Sequence, residues 1–467
     1  MRKDIPVPDE ILVVLRAIEA AKGRGLLVGG WIRDQLLGNP SKDYDIEVYG
    51  LPIVELEALL DGFGEVIAIG RAFGVLRVKG LDIDFSIPRR DSKVGRGHRG
   101  FIVDLDPTLD FATAARRRDL TVNSMAYDPL AQEILDAHGG LQDLEERALR
   151  ATDPATFPED SLRGLRVAQF FARFEMEPDA ELRRLCAALD LSDLPGERLY
   201  EEIKKLLLKS RRPSIGFEFL RETGLLTFFP ELFAMVDVPQ DPEWHPEGPV
   251  WDHTMLVLDE AARLKSGDDD ADLVLLLGAL CHDLGKPETT FEEGGRIRSP
   301  EHDEKGVPIA ESFLYRLRAS NELKEKVGAL VRHHLAPSQL IKGGAKARGY
   351  RRLSRRLGEA GVDPDMLYRV AKADHFGRTT PDALARTFDY GDAFLERMKE
   401  LSIAEEVQKD VVLGRHLIAR GFKPGVWFGT VLSACREVQD DTGWDDPDRI
   451  LDRVLKGGVP GGGDQSS

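Results

Sequence analysis

One stretch constrains this chain more than any other: residues 25–50, GLLVGGWIRDQLLGNPSKDYDIEVYG. Leu26, Leu27 and Val28 form a short apolar run that reads as a buried strand, and Gly29 and Gly30 break it. Trp31 to Leu37 then has helical spacing until Gly38 and Pro40 stop it, and a second strand follows with Asp43 and Asp45 at its start. Side chains alternate along a strand, so the two carboxylates point to one face. Paired glycines before a helix leave room for a phosphate against unpaired backbone N–H groups and the positive end of the helix dipole. Two same-face carboxylates beside a phosphate pocket suit a pair of Mg²⁺ ions, which favour carboxylate and phosphate oxygens.

Strand, paired glycines, helix, strand and DxD within these 26 residues resemble the nucleotidyltransferase signature of the polymerase-β superfamily, GGxxRD followed by DxDIE. The form is that of the class II bacterial tRNA CCA-adding enzymes and poly(A) polymerases. The resemblance implies that Gly29, Gly30, Arg33 and Asp34 bind a nucleotide and that Asp43 and Asp45 are the catalytic, Mg²⁺-holding pair.

At 467 residues the chain is expected to form about three domains, and its 42% hydrophobic content is enough for ordinary cores. No apolar run reaches the roughly 18 residues of a membrane span, and MRKDIPVPDE is no signal peptide, so a soluble cytoplasmic protein is expected. Cys186, Cys281 and Cys435 have neither metal nor disulfide spacing and read as buried thiols. The net charge of −17 argues at first sight against a nucleic-acid partner. Local charge matters more, and Arg89–Arg118, Lys204–Arg212 and Lys346–Arg356 are basic; each is either an RNA-facing patch or a solvated face.

Residues 8–22 read as an amphipathic helix packed on a sheet, and Pro52–Leu60 as another helix. Alternation at Val66 and Ala68, and at Leu81, Ile83 and Phe85, marks two strands, with Asp84 on the opposite phase as a candidate third carboxylate. RRDSKVGRGHRG (89–100) is glycine-rich, basic and aperiodic, so a mobile loop is expected; the resemblance makes it the loop beside the incoming nucleotide. Arg117, Arg118, Asp119, Thr121 and Asn123 match the family's RRDxTxN motif, where arginines can clamp a triphosphate and Asp119 can accept from a ribose hydroxyl.

FPEDSLRGLRVAQFFARF (157–174) reads as one helix opened by Pro158, with Asp160, Arg163 and Arg166 projecting from one side. This matches the EDxxR motif, in which class II enzymes are thought to read the incoming base with protein side chains; a guanidinium donates and a carboxylate accepts, as a base edge requires. Many relatives carry a further Arg where this chain has Gln169. GERLYEEIKKLLLKSRRPS (196–214) matches the neck helix ERxxxExxKLL.

Beyond WHPEGPVWDH the character changes: six of the ten histidines lie between 245 and 334. His253, then His282–Asp283 in ALCHDLGKP, then Asp374 resemble the HD phosphohydrolase order H…HD…D. The resemblance adds His302 with His333 or His334 as second-metal ligands, and Lys286 as a residue steadying a phosphate or the ligands. Such a set suits a divalent transition metal such as Mn²⁺ or Ni²⁺. Residues 391–456 read as helical and the glycine-rich end, 457–467, as a disordered tail.

The expected architecture is a multidomain α+β chain. A mixed five-stranded nucleotidyltransferase head (1–150) precedes an all-α neck and body (151–245), an all-α HD domain (246–390) and a C-terminal helical segment. The resemblance implies template-independent CCA addition to tRNA from CTP and ATP, with an HD phosphohydrolase activity. A poly(A) polymerase or partial A-only or CC-only enzyme is the first alternative, and an HD hydrolase with an RNA-binding head the second.

Overall fold

The structure is a computed structural model that describes residues 2–39, 43–70, 74–81, 83–93, 101–403 and 409–456. It divides into two compact units, Met1–Leu206 with Ile215–Phe228, and Leu207–Ser214 with Phe229–Ser467. Head and most of the neck thus share one unit, and the HD region and C-terminal helices share the other.

The first unit is built on a mixed sheet of seven strands instead of five. These are β1 (Arg24–Val28), β2 (Tyr44–Tyr49), β3 (Val66–Gly70), β4 (Val75–Val78) and β5 (Ile83–Ser86), with a late hairpin at Ala126–Asp128 and Glu133–Leu135. The hairpin escapes a periodicity reading because each arm is three residues long. β2 lies between β1, which it pairs antiparallel (Leu27↔Ile46), and β5, which it pairs parallel (Asp45↔Asp84). Helices cover both faces, which is why β1 is apolar without alternation. Leu27, Ile46, Val48 and Phe85 pack against Ile11, Leu15 and Ile18 of α1 (Asp9–Ala20), whereas Leu26, Val28 and Tyr49 pack with Leu109 and Ala114 on the other face. Tyr49 has the same phase as Asp45 and Glu47, so the acidic positions of β2 share this second face.

Two expectations change here. Residues 89–100 are not all loop: Arg89–Lys93 pairs antiparallel with Phe101–Leu105, and only 94–100 lie outside the described residues, as does the 457–467 tail. Residues 157–174 are not one helix: Phe157–Glu159 is a 3-10 turn, Asp160 is extended (φ −118°, ψ 104°), and the α-helix runs Arg163–Phe174.

In the second unit, Asp269–Cys281 is buried from Asp272 onward on every side, as its unbroken run of leucines dictates. Around it stand Val250–Arg263, Asn321–His333 and Pro364–Gly377, and His302–Arg316 packs on Asn321–His333. Val412, Leu417, Val431, Cys435, Ile450 and Leu451 form a separate apolar cluster near the C-terminal end. All three cysteines are free and buried. Among the described residues no helix is long and apolar enough to cross a membrane.

Gly285, within HDLGK, touches backbone: a Cβ there would overlap the carbonyl oxygen of His302 and lie 2.6 Å from the amide nitrogen of Gly306. Backbone cannot yield as a side-chain tip can, so Gly285→Ala is expected to cost about 1–3 kcal/mol. Gly429→Ala, on an exposed helix face with nothing within 4 Å, is expected to be neutral or stabilising. Urea unfolding of the two variants beside the unaltered protein checks both.

Candidate functional site

Strand alternation and the glycine turn meet at Asp45. Gly29 has φ +74°, a left-handed conformation costly for a residue with a Cβ, and a Cβ there would lie 3.1 Å from Arg118 Nη1 and 3.8 Å from Asp45 Oδ2. The carboxylate therefore faces the turn that opens the helix Gly30–Leu36. Asp43 and Asp45 are both exposed. Although Asp45 keeps access to solvent, the protein crowded around its carboxylate removes part of its hydration, and this desolvation, partly offset by Arg118 and reinforced by Asp84 and Asp43, raises its pKa. Asp84 itself grips Arg77 at 2.5 and 2.7 Å.

A cleft of about 410 Å³ runs from this corner, lined by Gly29, Gly30, Arg33, Asp45, Arg118, Asp119, Asn123, Asp160, Arg163 and Arg166, together with Gln169, Phe170, Arg173 and Lys205. Most of the expected nucleotide residues converge there; Asp34 and Arg117 do not line it. Arg117 donates to buried Glu47 at 3.0 Å, and Tyr49 donates to the same carboxylate at 2.7 Å. Burial favours protonating Glu47, but Arg118 and Arg117 outweigh it and hold the group below the usual carboxylate range. Asp34 is buried between Arg33 (2.8 Å) and Arg173 (3.4 Å).

Arg33, 4% exposed, also donates to Asn123 Oδ1 and stacks on Phe170 and Phe174 at 5.1 and 4.6 Å. Asp119, read from sequence as a ribose partner, already has three protein donors: the Leu120 amide (2.8 Å), Asn123 Nδ2 (3.0 Å) and Arg166 Nε (2.6 Å). Burial pushes its pKa up, but Arg166 and these hydrogen bonds prevail and bring it to about 2. Its evident work is to hold Arg166. Asp160 is held in turn by Arg198 at 2.9 Å, and Arg163 donates to the carbonyls of Thr156 (3.0 Å) and Arg117 (2.6 Å). Asp160 reaches the cleft from the extended residue before the helix, not from its face.

The second unit gathers the histidines around Asp283. His253 Nε2 lies 3.1 Å from Asp374 Oδ1 and 3.9 Å from Asp283 Oδ2, and His282 Nε2 is 3.2 Å from that same oxygen. Asp283 Oδ1 faces the other way, 3.4 Å from His302 Nε2 and 4.0 Å from His334 Nε2. The inward partner of His302 is thus His334, at 3.3 Å, and not the expected His333. His333 instead lines a different cleft with Asp303, Arg332 and Arg356. Adjacent residues at a helix end point about 100° apart, so only one can face inward.

Three of the four inward rings are tethered by their outer nitrogen. His282, His302 and His334 place Nδ1 2.7 Å from the carbonyls of Ala279, Ser299 and Val331. His253 Nδ1 instead sits 2.8 Å from Glu247 Oε1. A ring donating from Nδ1 keeps a lone pair on Nε2, the form that ligates metals. Lys286 Nζ is 2.7 Å from Asp283 Oδ2 and 2.6 Å from Gln240 Oε1, while Arg378 donates to both oxygens of Asp374 at 3.1 Å. The donor atoms of His253, His282 and Asp283, and those of Asp283, His302 and His334, form two groups each within 4.8 Å, and imidazole with carboxylate fits divalent cations.

Sequence reasoning passed over Glu47, Glu247, His245 and Arg378. Period-2 alternation already put Glu47 in line with Asp45. Glu247 and His245 lie in a turn, where spacing carries no directional information. The three basic stretches are less bare than their composition: Arg355 pairs with Asp440 (2.8 Å) and Asp410 (3.1 Å), Arg348 with Asp441 (3.2 Å), and Lys205 with Glu202 (3.0 Å).

Comparison with known proteins matches three family models in order: "Poly A polymerase head domain" over residues 26–150, "Probable RNA and SrmB- binding site of polymerase A" over 173–235, and "HD domain" over 250–371. The multifunctional CCA protein of Stenotrophomonas maltophilia (strain K279a) is 38% identical over 317 residues, covering 66% of this chain and 75% of the relative. That of Xylella fastidiosa (strain 9a5c) is 36% identical over 330 residues, covering 68% and 76%. Among solved structures, the Bacillus stearothermophilus CCA-adding enzyme in complex with CTP aligns with TM-score 0.64 at 19% identity, over 96% of both chains. The Thermotoga maritima CCA-adding enzyme complexed with tRNA aligns with TM-score 0.58 at 18% identity, over 97% and 96%. With the head, RNA-binding and HD models matched in one chain and 38% identity over a span that covers three quarters of a curated relative, the chain belongs to the multifunctional CCA protein family.

Proposed function

We propose that this is a cytoplasmic tRNA nucleotidyltransferase that adds CCA to the 3′ end of tRNA from CTP and ATP, with a second, HD-centred phosphohydrolase activity. The name shared by its relatives and the CTP and tRNA complexes of its structural neighbours support this reading. The observation that carries it is Asp45 Oδ2 turned toward the Gly29 corner beside Arg118.

In this reading Asp43 and Asp45, an all-oxygen donor pair open to solvent, hold Mg²⁺. When bound there, Mg²⁺ would supply the positive charge that favours a 3′-oxygen nucleophile in line with an α-phosphate and that compensates the departing pyrophosphate. The backbone at Gly29 and Gly30 and the guanidinium of Arg118 bind the triphosphate. Asp160, Arg163 and Arg166 meet the base, prepositioned by Arg198, the backbone carbonyls and Asp119 respectively. Prepositioning means that little side-chain entropy is lost when the nucleotide arrives. The tRNA is gripped through its backbone shape by exposed cations of the basic stretches. At the HD centre, His253, His282, Asp283 and Asp374 would hold one divalent ion of the Mn²⁺ or Ni²⁺ type, and Asp283, His302 and His334 a second. An ion held there would supply Lewis acidity toward a phosphoryl group. Lys286 keeps Asp283 charged and in place.

Asp45→Asn is expected to lower CTP and ATP incorporation into tRNA lacking CCA by on the order of 10³-fold, the scale for losing a preorganised electrostatic partner. The same variant should leave hydrolysis of p-nitrophenyl phosphate intact, and His282→Ala should do the opposite. One substitution abolishing both activities would defeat the two-site reading. The raised pKa of Asp45 makes protons compete with Mg²⁺ at higher pH than for an ordinary carboxylate. Lowering the pH from about 8 to about 6 should therefore raise the Mg²⁺ concentration giving half-maximal incorporation, and excess Mg²⁺ should restore the rate.

A further inference from the structure

Four histidines face Asp283, and three of them are tethered through Nδ1 to backbone carbonyls. His253 alone has its Nδ1 against a carboxylate, Glu247 Oε1, 2.8 Å away in a buried close contact that is not aligned as a hydrogen bond. The Glu247 side chain is 2% exposed and that of His253 fully buried. The same oxygen, Oε1, accepts from His245 Nδ1 at 2.9 Å, while Oε2 accepts from the Thr379 amide at 3.0 Å and lies 3.4 Å from Thr379 Oγ1.

This saturation decides between two roles. His245, Glu247 and His253 lie close enough together to hold an ion of their own. A carboxylate offers about four lone-pair directions, and here three hydrogen bonds, from His245 and from the amide and hydroxyl of Thr379, together with the close His253 ring occupy its surroundings. A metal bound by Glu247 would have to break at least one of these buried bonds. The neighbour of Thr379 is Arg378, which grips both oxygens of Asp374. One short segment thus fixes two groups at once: Asp374 through the Arg378 guanidinium, and Glu247, hence His253, through the Thr379 amide. His253 and Asp374 themselves meet at 3.1 Å, although 121 positions separate them in sequence.

We propose that Glu247 is the positioning carboxylate of the HD centre. It holds His253 with the proton on Nδ1 and the lone pair of Nε2 toward Asp283 and Asp374, and it makes that ring the most strongly donating of the four. It orients the ligand and does not itself bind the ion. The inference rests on the HD centre being a metal site, as proposed above.

The test uses the whole chain stripped of metal and titrated with Co²⁺, followed by d–d absorption, whose bands shift on nitrogen ligation and strengthen as the ion leaves its symmetric aqua shell. Glu247→Gln keeps the shape and an acceptor oxygen but removes the charge. Its Co²⁺ dissociation constant should rise about 10–100-fold, the usual effect of losing an outer carboxylate on a ligating histidine. Thermal unfolding of the metal-free variant and its CTP incorporation should match those of the unaltered protein. Unchanged Co²⁺ affinity would overturn the proposal. So would loss of one whole equivalent of bound Co²⁺, which would make Glu247 a direct ligand. Weak binding accompanied by a large drop in metal-free unfolding temperature would reduce Glu247 to a packing residue and overturn it as well. If the unaltered protein gives no nitrogen-ligated Co²⁺ spectrum, the metal-centre reading itself falls, a result distinct from the other three.

Discussion

The register of β2 is the constraint on which the head depends. The strand lies between an antiparallel and a parallel neighbour, with Ile46 and Val48 sunk into one core and Asp45, Glu47 and Tyr49 on the opposite side. Because the side-chain period is two, a slip of one residue would drive Asp45 into the apolar layer beneath the first helix and expose Ile46. Burying an unpaired carboxylate there would cost several kcal/mol, so the acidic corner is fixed by the whole core and not by local preference. Glu47, one step further in, shows the alternative fate of an acid on that side: it is sealed from water and answered by Arg117 and Tyr49.

The cleft wall is built on the same economy. Each charged group that the sequence offers to a nucleotide is first offered to another protein group: Arg166 to Asp119, Asp160 to Arg198, Arg33 to Asp34 and Asn123. These partners fix side-chain angles in advance and keep buried charges compensated. The histidine centre follows a parallel rule with different chemistry. There the outer nitrogens are spent on carbonyls and one carboxylate so that the inner ones converge on a single aspartate with two faces.

Much of this was legible in the sequence where chemistry and spacing coincide. Strand periodicity fixes the direction of Asp45, whereas RRD and HD were legible by residue type and order alone: both stand in turns just past a helix end, and Arg117 turns away from the cleft to Glu47. Legibility failed where direction is set at the end of an element. His333 and His334 are neighbours at the close of one helix, and only tertiary packing selects the second. Asp160 sits in the break between a 3-10 turn and a helix that Pro158 had suggested was continuous. Strands of three residues left too short a pattern to read. The basic stretch around Arg355 looked like an open cationic face because its neutralising aspartates, Asp410, Asp440 and Asp441, lie far downstream in the chain.

The division of the chain has a consequence for how such a protein can be dismantled. The polypeptide passes from one unit to the other at 206/207, returns at 214/215 and leaves again at 228/229, with the helix Gly196–Lys209 straddling the first border. No single cut yields two self-contained halves: any fragment boundary strands a segment with the wrong partner. Separating the sheet-bearing unit from the histidine-bearing one would therefore take rearrangement at three junctions of the chain instead of one.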